Sequence, residues 1–98
     1  MSRERLEQGV SNVEGELAQE RAAALGRSGR RLEDEHRRCH DLLDRLVHQP
    51  HDHALLAQYR LARAAFEEAL WKYCVHREAI GLWDHTWVHR ICPTPPRR

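Results

Sequence analysis

Histidine is the residue whose number and spacing in this chain could support chemistry. Eight histidines occur in 98 residues, and two pairs, His36 with His40 and His85 with His89, stand four positions apart. On a helix this spacing puts two imidazoles on one side, where they can chelate a Zn²⁺ or Ni²⁺ ion. Eight histidines can produce such pairs by chance, and the diagnostic HExxH motif is absent from the sequence. We therefore expect no metal ligands and no cofactor, with added Zn²⁺ binding only weakly.

A second metal chemistry would need carboxylates. Glu33-x-x-His36 has the spacing used by di-iron helical bundles, and Glu67 or Glu68 could supply a carboxylate from another helix. Glu33, however, falls at the edge of the apolar stripe, beside further acidic residues. We interpret Glu33 as solvated and His36 as half-buried, and predict no di-iron centre.

Nucleic-acid binding and catalysis are not indicated either. Five arginines lie between positions 27 and 38, but acidic residues at 33–35 cancel much of their field, and the formal net charge is only +1. No helix-turn-helix signature accompanies the arginines. The sequence shows no Ser/His/Asp or Cys/His pattern typical of a catalytic nucleophile, and no glycine-rich loop that would bind phosphate. The sequence predicts no catalytic residue, no enzyme and no nucleic-acid partner.

Chain length, cysteine pattern and the distribution of apolar residues limit the class of protein that the sequence can encode. A chain of 98 residues allows one domain, which we assign to 1–98 with flexible tails at 1–9 and 93–98. The three cysteines form no CxxC pair, and unpaired thiols fit a reducing compartment. Neither an apolar leader nor a long apolar stretch is present. These features favour a soluble, cytoplasmic protein that does not enter a membrane.

The apolar residues recur at helical spacing throughout, so the predicted fold class is all-α. A capping box at Ser11–Glu14 predicts the start of a first helix that ends before Pro50. Asp52 is a good N-cap for a second helix, which Gly81 ends. The predicted helices therefore span about 11–48 and 53–80, and a short C-terminal helix follows.

Two glycines inside the first helix allow two interpretations. Gly26 could end a helix and Ser28 could cap the next one, since each internal glycine costs about 1 kcal/mol relative to alanine. We favour one long helix, because the apolar stripe stays in phase across Gly26 and Gly29. Together with Ala18 and Ala22, these glycines would then form a strip of small residues where another helix could approach closely.

The predicted architecture is a long helical hairpin. The second helix has a wide apolar stripe, which one partner helix cannot cover, so two hairpins should pair into an antiparallel homodimer, a four-helix bundle. If the chain instead reverses at 26–29, a monomeric three-helix bundle results. Trp83 and Trp87, on the short C-terminal helix, are expected to cap the end of the bundle, the alternative being anchors for a partner.

Several segments resemble an uncharacterised family of short helical bacterial proteins, a domain of unknown function. The similarity lies in Glu16–Glu20 and Ala24–Glu33, then in Ala69–Trp71 and the more specific Val75–Asp84. It covers about two thirds of the chain. The resemblance implies a small helical bacterial protein and carries over no activity, cofactor or catalytic residue. Histidines are not regular features of the family, and His76 stands where glutamine is usual, which disfavours a metal site common to the family.

The sequence thus predicts a small non-catalytic helical protein that acts through homo-oligomerisation and through contact with an unidentified protein partner. The alternative is a helical protein that binds Zn²⁺ or Ni²⁺ through its histidine pairs.

Overall fold

A computed structural model describes residues 3–98, with side chains from residue 12 onward. Three helices follow in order: α1 at Arg3–His48, α2 at His53–Ala79 and α3 at Thr86–Ile91. The described chain measures 72 × 24 × 14 Å, the shape of a hairpin with one long arm. It contains no strand in residues 3–98, which confirms the all-α class. Nor does any described helix combine the length and apolar character needed to cross a bilayer.

Helix α1 begins earlier than predicted. Its first residue is Arg3, not Ser11, so the predicted capping box at Ser11–Glu14 lies inside the helix. Arginine, glutamate, leucine and glutamine, which are good helix formers, dominate residues 3–8 and allow the helix to extend upstream. Of the tail predicted at 1–9, residues 1–2 lie outside the described part, and the rest is helical.

Helix α1 is continuous through its glycines, which confirms the interpretation of one long helix. Only Gly29 marks a close helix approach, since a Cβ there would lie 3.1 Å from Cε1 of Tyr73. A Cβ at Gly26 would meet only the guanidinium of Arg30, at 3.5 Å. Of the glycines in the predicted strip of small residues, only Gly29 therefore allows another helix of the same chain to approach closely.

Local signals fix both ends of α2 as predicted. Asp52 is the N-cap, and its Oδ1 accepts a hydrogen bond from the Leu55 amide at 3.0 Å. At the other end Gly81 has φ 88°, its amide donates to the Glu78 carbonyl, and the Leu82 amide donates to the Arg77 carbonyl. This Schellman arrangement needs the positive φ that glycine adopts without strain.

The core lies along the seam between α1 and α2, and the C-terminal segment packs over it. Tyr59 and Phe66 are fully buried at its centre. The buried hydrophobic residues are Leu32, Cys39, Leu42, Leu46, Leu55, Tyr59, Ala62, Phe66, Ala69, Val88 and Cys92. Because Val88 and Cys92 belong to this set, α3 and the residues after it are part of the same core.

The C-terminal residues 93–98, for which the sequence indicates a loose tail, lie against α2. Tyr59 donates its hydroxyl hydrogen to the Pro96 carbonyl, and Arg63 Nε donates to the Pro95 carbonyl at 2.9 Å. Arg60 Nε donates to the Arg98 carbonyl at 2.9 Å. Prolines cannot donate amide hydrogens but keep free carbonyls, so an extended proline-rich segment offers acceptors to the donors along α2.

Candidate functional site

The most distinctive feature of the molecule is an arm, residues 3–24 of α1. Ser28 pairs with His76 and Gly29 faces Tyr73, so α2, which ends at Ala79, stops alongside residue 25 or so of α1. The arm therefore projects about 33 Å beyond the hairpin, at 1.5 Å per residue. Residues 12–23 are all exposed, including Val13 at 64% and Leu17 at 47%.

A second group of exposed apolar residues lies in the last turns of α2 and in the loop that follows, and we call it the aromatic end. It comprises Trp71, Val75, Ile80, Leu82 and Trp83. Trp83 is 71% exposed, so the prediction that it caps the bundle is wrong. Trp87 is 54% exposed and lines a small depression with Gly29, Leu32 and Tyr73, so it covers that end of the seam in part. Exposed large apolar residues, tryptophan above all, are typical of protein interaction surfaces.

Arg77 organises the loop between α2 and α3. Its guanidinium donates to the Asp84 carbonyl at 2.8 Å and to Nδ1 of His85 at 3.3 Å, and it lies over the Trp87 ring at 5.8 Å. Nε2 of His85 contacts Oε1 of Glu78 at 3.1 Å. Since Arg77 can only donate, Nδ1 of His85 accepts, and Nε2 carries the hydrogen toward the carboxylate. These bonds hold α3 in place.

Asp84 lies two residues before α3, whose N-cap position is occupied by His85. Its Oδ1 accepts from the Thr86 amide at 3.0 Å. The hydrogen bonds from Thr86 lower the pKa of this carboxyl. Asp84 thus has a structural partner and is not a free acid for catalysis.

The structure brings together His36 and His40, the first predicted pair. Their Nε2 atoms are 3.2 Å apart, and the ring planes are inclined at 79°. His36 also packs on Phe66, with ring centroids 5.6 Å apart. Burial, and secondly the neighbouring His40, lower the pKa of His36, whereas a hydrogen bond to the Pro93 backbone acts in the opposite direction. His36 is half-buried, as predicted.

The carboxylates considered for a di-iron centre are not brought together with His36. Glu67 pairs with Arg63 at 2.7 Å and Glu68 with Lys72 at 3.1 Å, both on the exposed side of α2. Over the described residues, no three side chains among His, Cys, Asp and Glu converge as metal ligands. The di-iron arrangement therefore has no support in the geometry.

Sequence reasoning missed one contact between polar side chains. Nδ1 of His76 lies 2.8 Å from Oγ of Ser28, across the helix seam, and that hydroxyl donates to the Leu25 carbonyl at 3.1 Å. A serine that donates to a backbone carbonyl and accepts from histidine is not an activated nucleophile. Ser28 is also buried, so we interpret the pair as a structural bond between α1 and α2. Forty-eight residues separate the partners, so no local pattern could have identified them.

The three cysteines are free and chemically quiet. Cys39 and Cys92 are buried and Cys74 is partly buried. Burial is the main cause that raises the pKa of each thiol, and nearby carboxylates add to it. A protonated, shielded thiol is neither a good nucleophile nor a ready metal ligand.

The arginine cluster is partly neutralised. Arg27 pairs with Glu20 at 2.9 Å, and Arg37 approaches Asp34 at 3.4 Å. Both pairs are exposed, so they add little stability, but they reduce the positive field available to a phosphate backbone.

Comparison with known proteins supplies no relative. The chain matches no known protein family, no curated protein and no solved structure.

Proposed function

We propose that this chain is a non-catalytic helical protein that acts by association, and that its first partner is a second copy of itself. The observation that carries the proposal is the arm, whose apolar residues Val13 and Leu17 are exposed. The aromatic end adds further exposed apolar residues, in the last turns of α2 and in the loop that follows.

The arm gains no stability from packing within its own chain. Most helical stability in proteins comes from packing of an apolar face, and residues 12–23 are exposed throughout. Gly9 and Gly15 each cost about 1 kcal/mol in a helix interior, and no atom beyond the helix's own backbone lies near either glycine. A surface that covers Val13 and Leu17 would supply the missing packing.

The length of the arm and the length of the hairpin favour a second copy of the chain as the partner that covers the arm. The arm is about 33 Å long, and residues 25–48, the part of α1 that pairs with α2, measure about 36 Å at 1.5 Å per residue. Two copies placed antiparallel along α1 would thus each lay an arm along the hairpin of the other, as a third helix. The exposed Leu61 lies on the side of α2 that faces away from Arg63 and the C-terminal tail, where such an arm could pack.

Charge favours the same arrangement. Glu16 and Glu20 lie on the arm, and Arg27 and Arg31 follow on the hairpin side of α1. In an antiparallel pair centred between residues 23 and 24, Glu20 of one copy lies beside Arg27 of its partner, and Glu16 beside Arg31. The ion pair that Glu20 and Arg27 form within one chain would then be exchanged for, or shared with, the pair between copies. Two-fold symmetry repeats both pairs, and complementary charges of this kind fix register.

The setting of this function is part of the proposal. Three unpaired thiols suit a reducing compartment, so we assign the protein to the cytoplasm. Membership of the short bacterial family that the sequence resembles belongs to the same proposal. No nucleic acid and no membrane is invoked as a partner.

Light scattering coupled to size exclusion tests the dimer. We expect about twice the chain mass of 11.6 kDa at 100 µM or so, moving toward the monomer on dilution. The double variants Glu16→Arg/Glu20→Arg and Arg27→Glu/Arg31→Glu should each be monomeric, because like charges then face each other. Mixed in equal amounts, the two variants should form a heterodimer, since every facing pair is again opposite in sign.

A matched control changes charge elsewhere. Arg90→Glu/Arg97→Glu alters the net charge by the same amount as the second variant, at exposed positions outside α1, and should remain dimeric. A native chain that is monomeric at every concentration would overturn self-association. A dimer that tolerates both double variants would overturn the register.

A further inference from the structure

His36 and His40 have the separation of two ligands to one metal ion. Their Nε2 atoms are 3.2 Å apart. Two nitrogens bound to a tetrahedral Zn²⁺ at about 2.0–2.1 Å are about 3.3–3.4 Å from each other. The distance therefore fits joint ligation of one cation. The two Nε2 lone pairs must also converge on that cation and not on each other, which requires the His40 ring to rotate, and this side chain is exposed.

The surroundings leave room for the remaining coordination positions. The pair borders an open depression between α1 and the C-terminal segment, lined by Glu33, His36, Arg37, His40, Ile91 and Cys92. Packing of His36 on Phe66 orients its ring, while His40 is exposed to solvent. Because the depression is open, water can complete the coordination shell.

Two neighbouring groups are poor ligands. Burial, and then the charge of Glu33, raise the pKa of the Cys92 thiol, which keeps its sulfur protonated at neutral pH. Arg37, also on the rim, carries a positive charge that repels a cation. The site thus rests on two imidazoles.

The other histidine pair differs in its partners. His85 is engaged by Arg77 at Nδ1 and by Glu78 at Nε2, so neither of its nitrogens is open to a metal. The equal spacing of the two pairs in sequence conceals this difference, which appears only in the folded chain.

We propose that His36 and His40 bind one divalent cation of the borderline class, Zn²⁺, Ni²⁺ or Cu²⁺, through both Nε2 atoms. Both neutral rings then carry their single hydrogen on Nδ1. The ring whose hydrogen now lies between the two Nε2 atoms changes tautomer, moving that hydrogen to its Nδ1 through solvent, and its Nε2 becomes free for the cation. With two protein ligands the ion exchanges freely, so the site takes up metal from solution and does not hold a resident cofactor. The site lies on the hairpin and does not depend on self-association through the arm.

Calorimetric titration of the tag-free chain with ZnCl₂, in a buffer that does not chelate metal, tests the site. We expect one equivalent per chain. His36→Gln and His40→Gln should each lower the affinity at least tenfold, because one imidazole alone is a weak ligand. The control His51→Gln/His53→Gln removes two exposed histidines, one in the turn and one at the start of α2, and should change affinity less than twofold.

A second readout separates ligation from loss of structure. Nitrogen chemical shifts of the imidazoles should move at Nε2 of both His36 and His40 on addition of ZnCl₂, and circular dichroism of His40→Gln should match the native chain, since His40 is exposed. Undiminished binding in the His36→Gln/His40→Gln double variant would overturn the proposal. So would equal loss in the His51→Gln/His53→Gln control, or no binding at millimolar ZnCl₂.

Discussion

Helix α1 passes through two environments, and the comparison between them explains most of the molecule. On the hairpin side it buries Leu32, Cys39, Leu42 and Leu46 against α2. Over the arm, residues 12–23 bury nothing. The backbone is helical in both parts, yet only the first is held by tertiary packing. The continuity of helix α1 therefore does not show which of its residues contribute to the free energy of unfolding.

The largest effect should come from removing a core side chain. Phe66 is fully buried, so Phe66→Ala should cost about 3–5 kcal/mol of unfolding free energy through lost burial and a cavity. Leu17→Ala, in the arm, should leave the stability of the dilute monomer within about 0.5 kcal/mol. Urea unfolding at low micromolar concentration compares the two. An equal loss for Leu17→Ala would show that the arm is packed within its own chain.

Glycine substitutions sharpen the comparison at the boundary. Gly29→Leu should destabilise by about 1–3 kcal/mol, because its side chain would overlap Tyr73. Gly26→Ala should stabilise by up to about 1 kcal/mol, since alanine favours the helix and its Cβ meets only the mobile Arg30 guanidinium. Thermal melts of the two variants measure both effects. A harmful Gly26→Ala would contradict the continuous helix.

The smallest expected effect concerns pH. Burial lowers the pKa of His36 below its ordinary value of 6.5, so the folded state binds fewer protons than the unfolded state. The resulting contribution to stability is present above pH 6.5 and is lost as pH falls below it. The melting temperature should drop between pH 7.5 and pH 5, and His36→Gln should reduce that drop. Replacing the exposed His53 by glutamine should leave it unchanged.

Local signals in the sequence predicted much of the fold. Pro50 ends one helix, Asp52 caps the next and Gly81 supplies a positive φ, and each acts within a few residues of itself. The apolar stripe keeps the same helical phase on both sides of Gly26, and this correctly predicted a continuous helix. These features depend on backbone geometry and spacing, which a single sequence displays.

The sequence did not reveal contacts between distant positions. The bond between Ser28 and His76, and the hydrogen bonds from Arg60 and Arg63 to the tail, join residues more than thirty positions apart. The prediction for Trp83 failed for a different reason. Its position in the sequence is the same whether the ring is exposed or packs on the end of the bundle, so residue spacing could not distinguish the two. The start of α1 was missed since a capping box is equally compatible with a helix interior.

The described part of α1 has no break, so the arm and the hairpin belong to one continuous helix. Once a partner packs against the arm and holds it, the position of the arm also sets the direction of the hairpin. A partner bound near Val13 thereby determines, through the continuous helix α1, the position of the turn at residues 49–52. Inserting residues into the arm would rotate the far end by about 100° per residue, and would aim it elsewhere without touching the core.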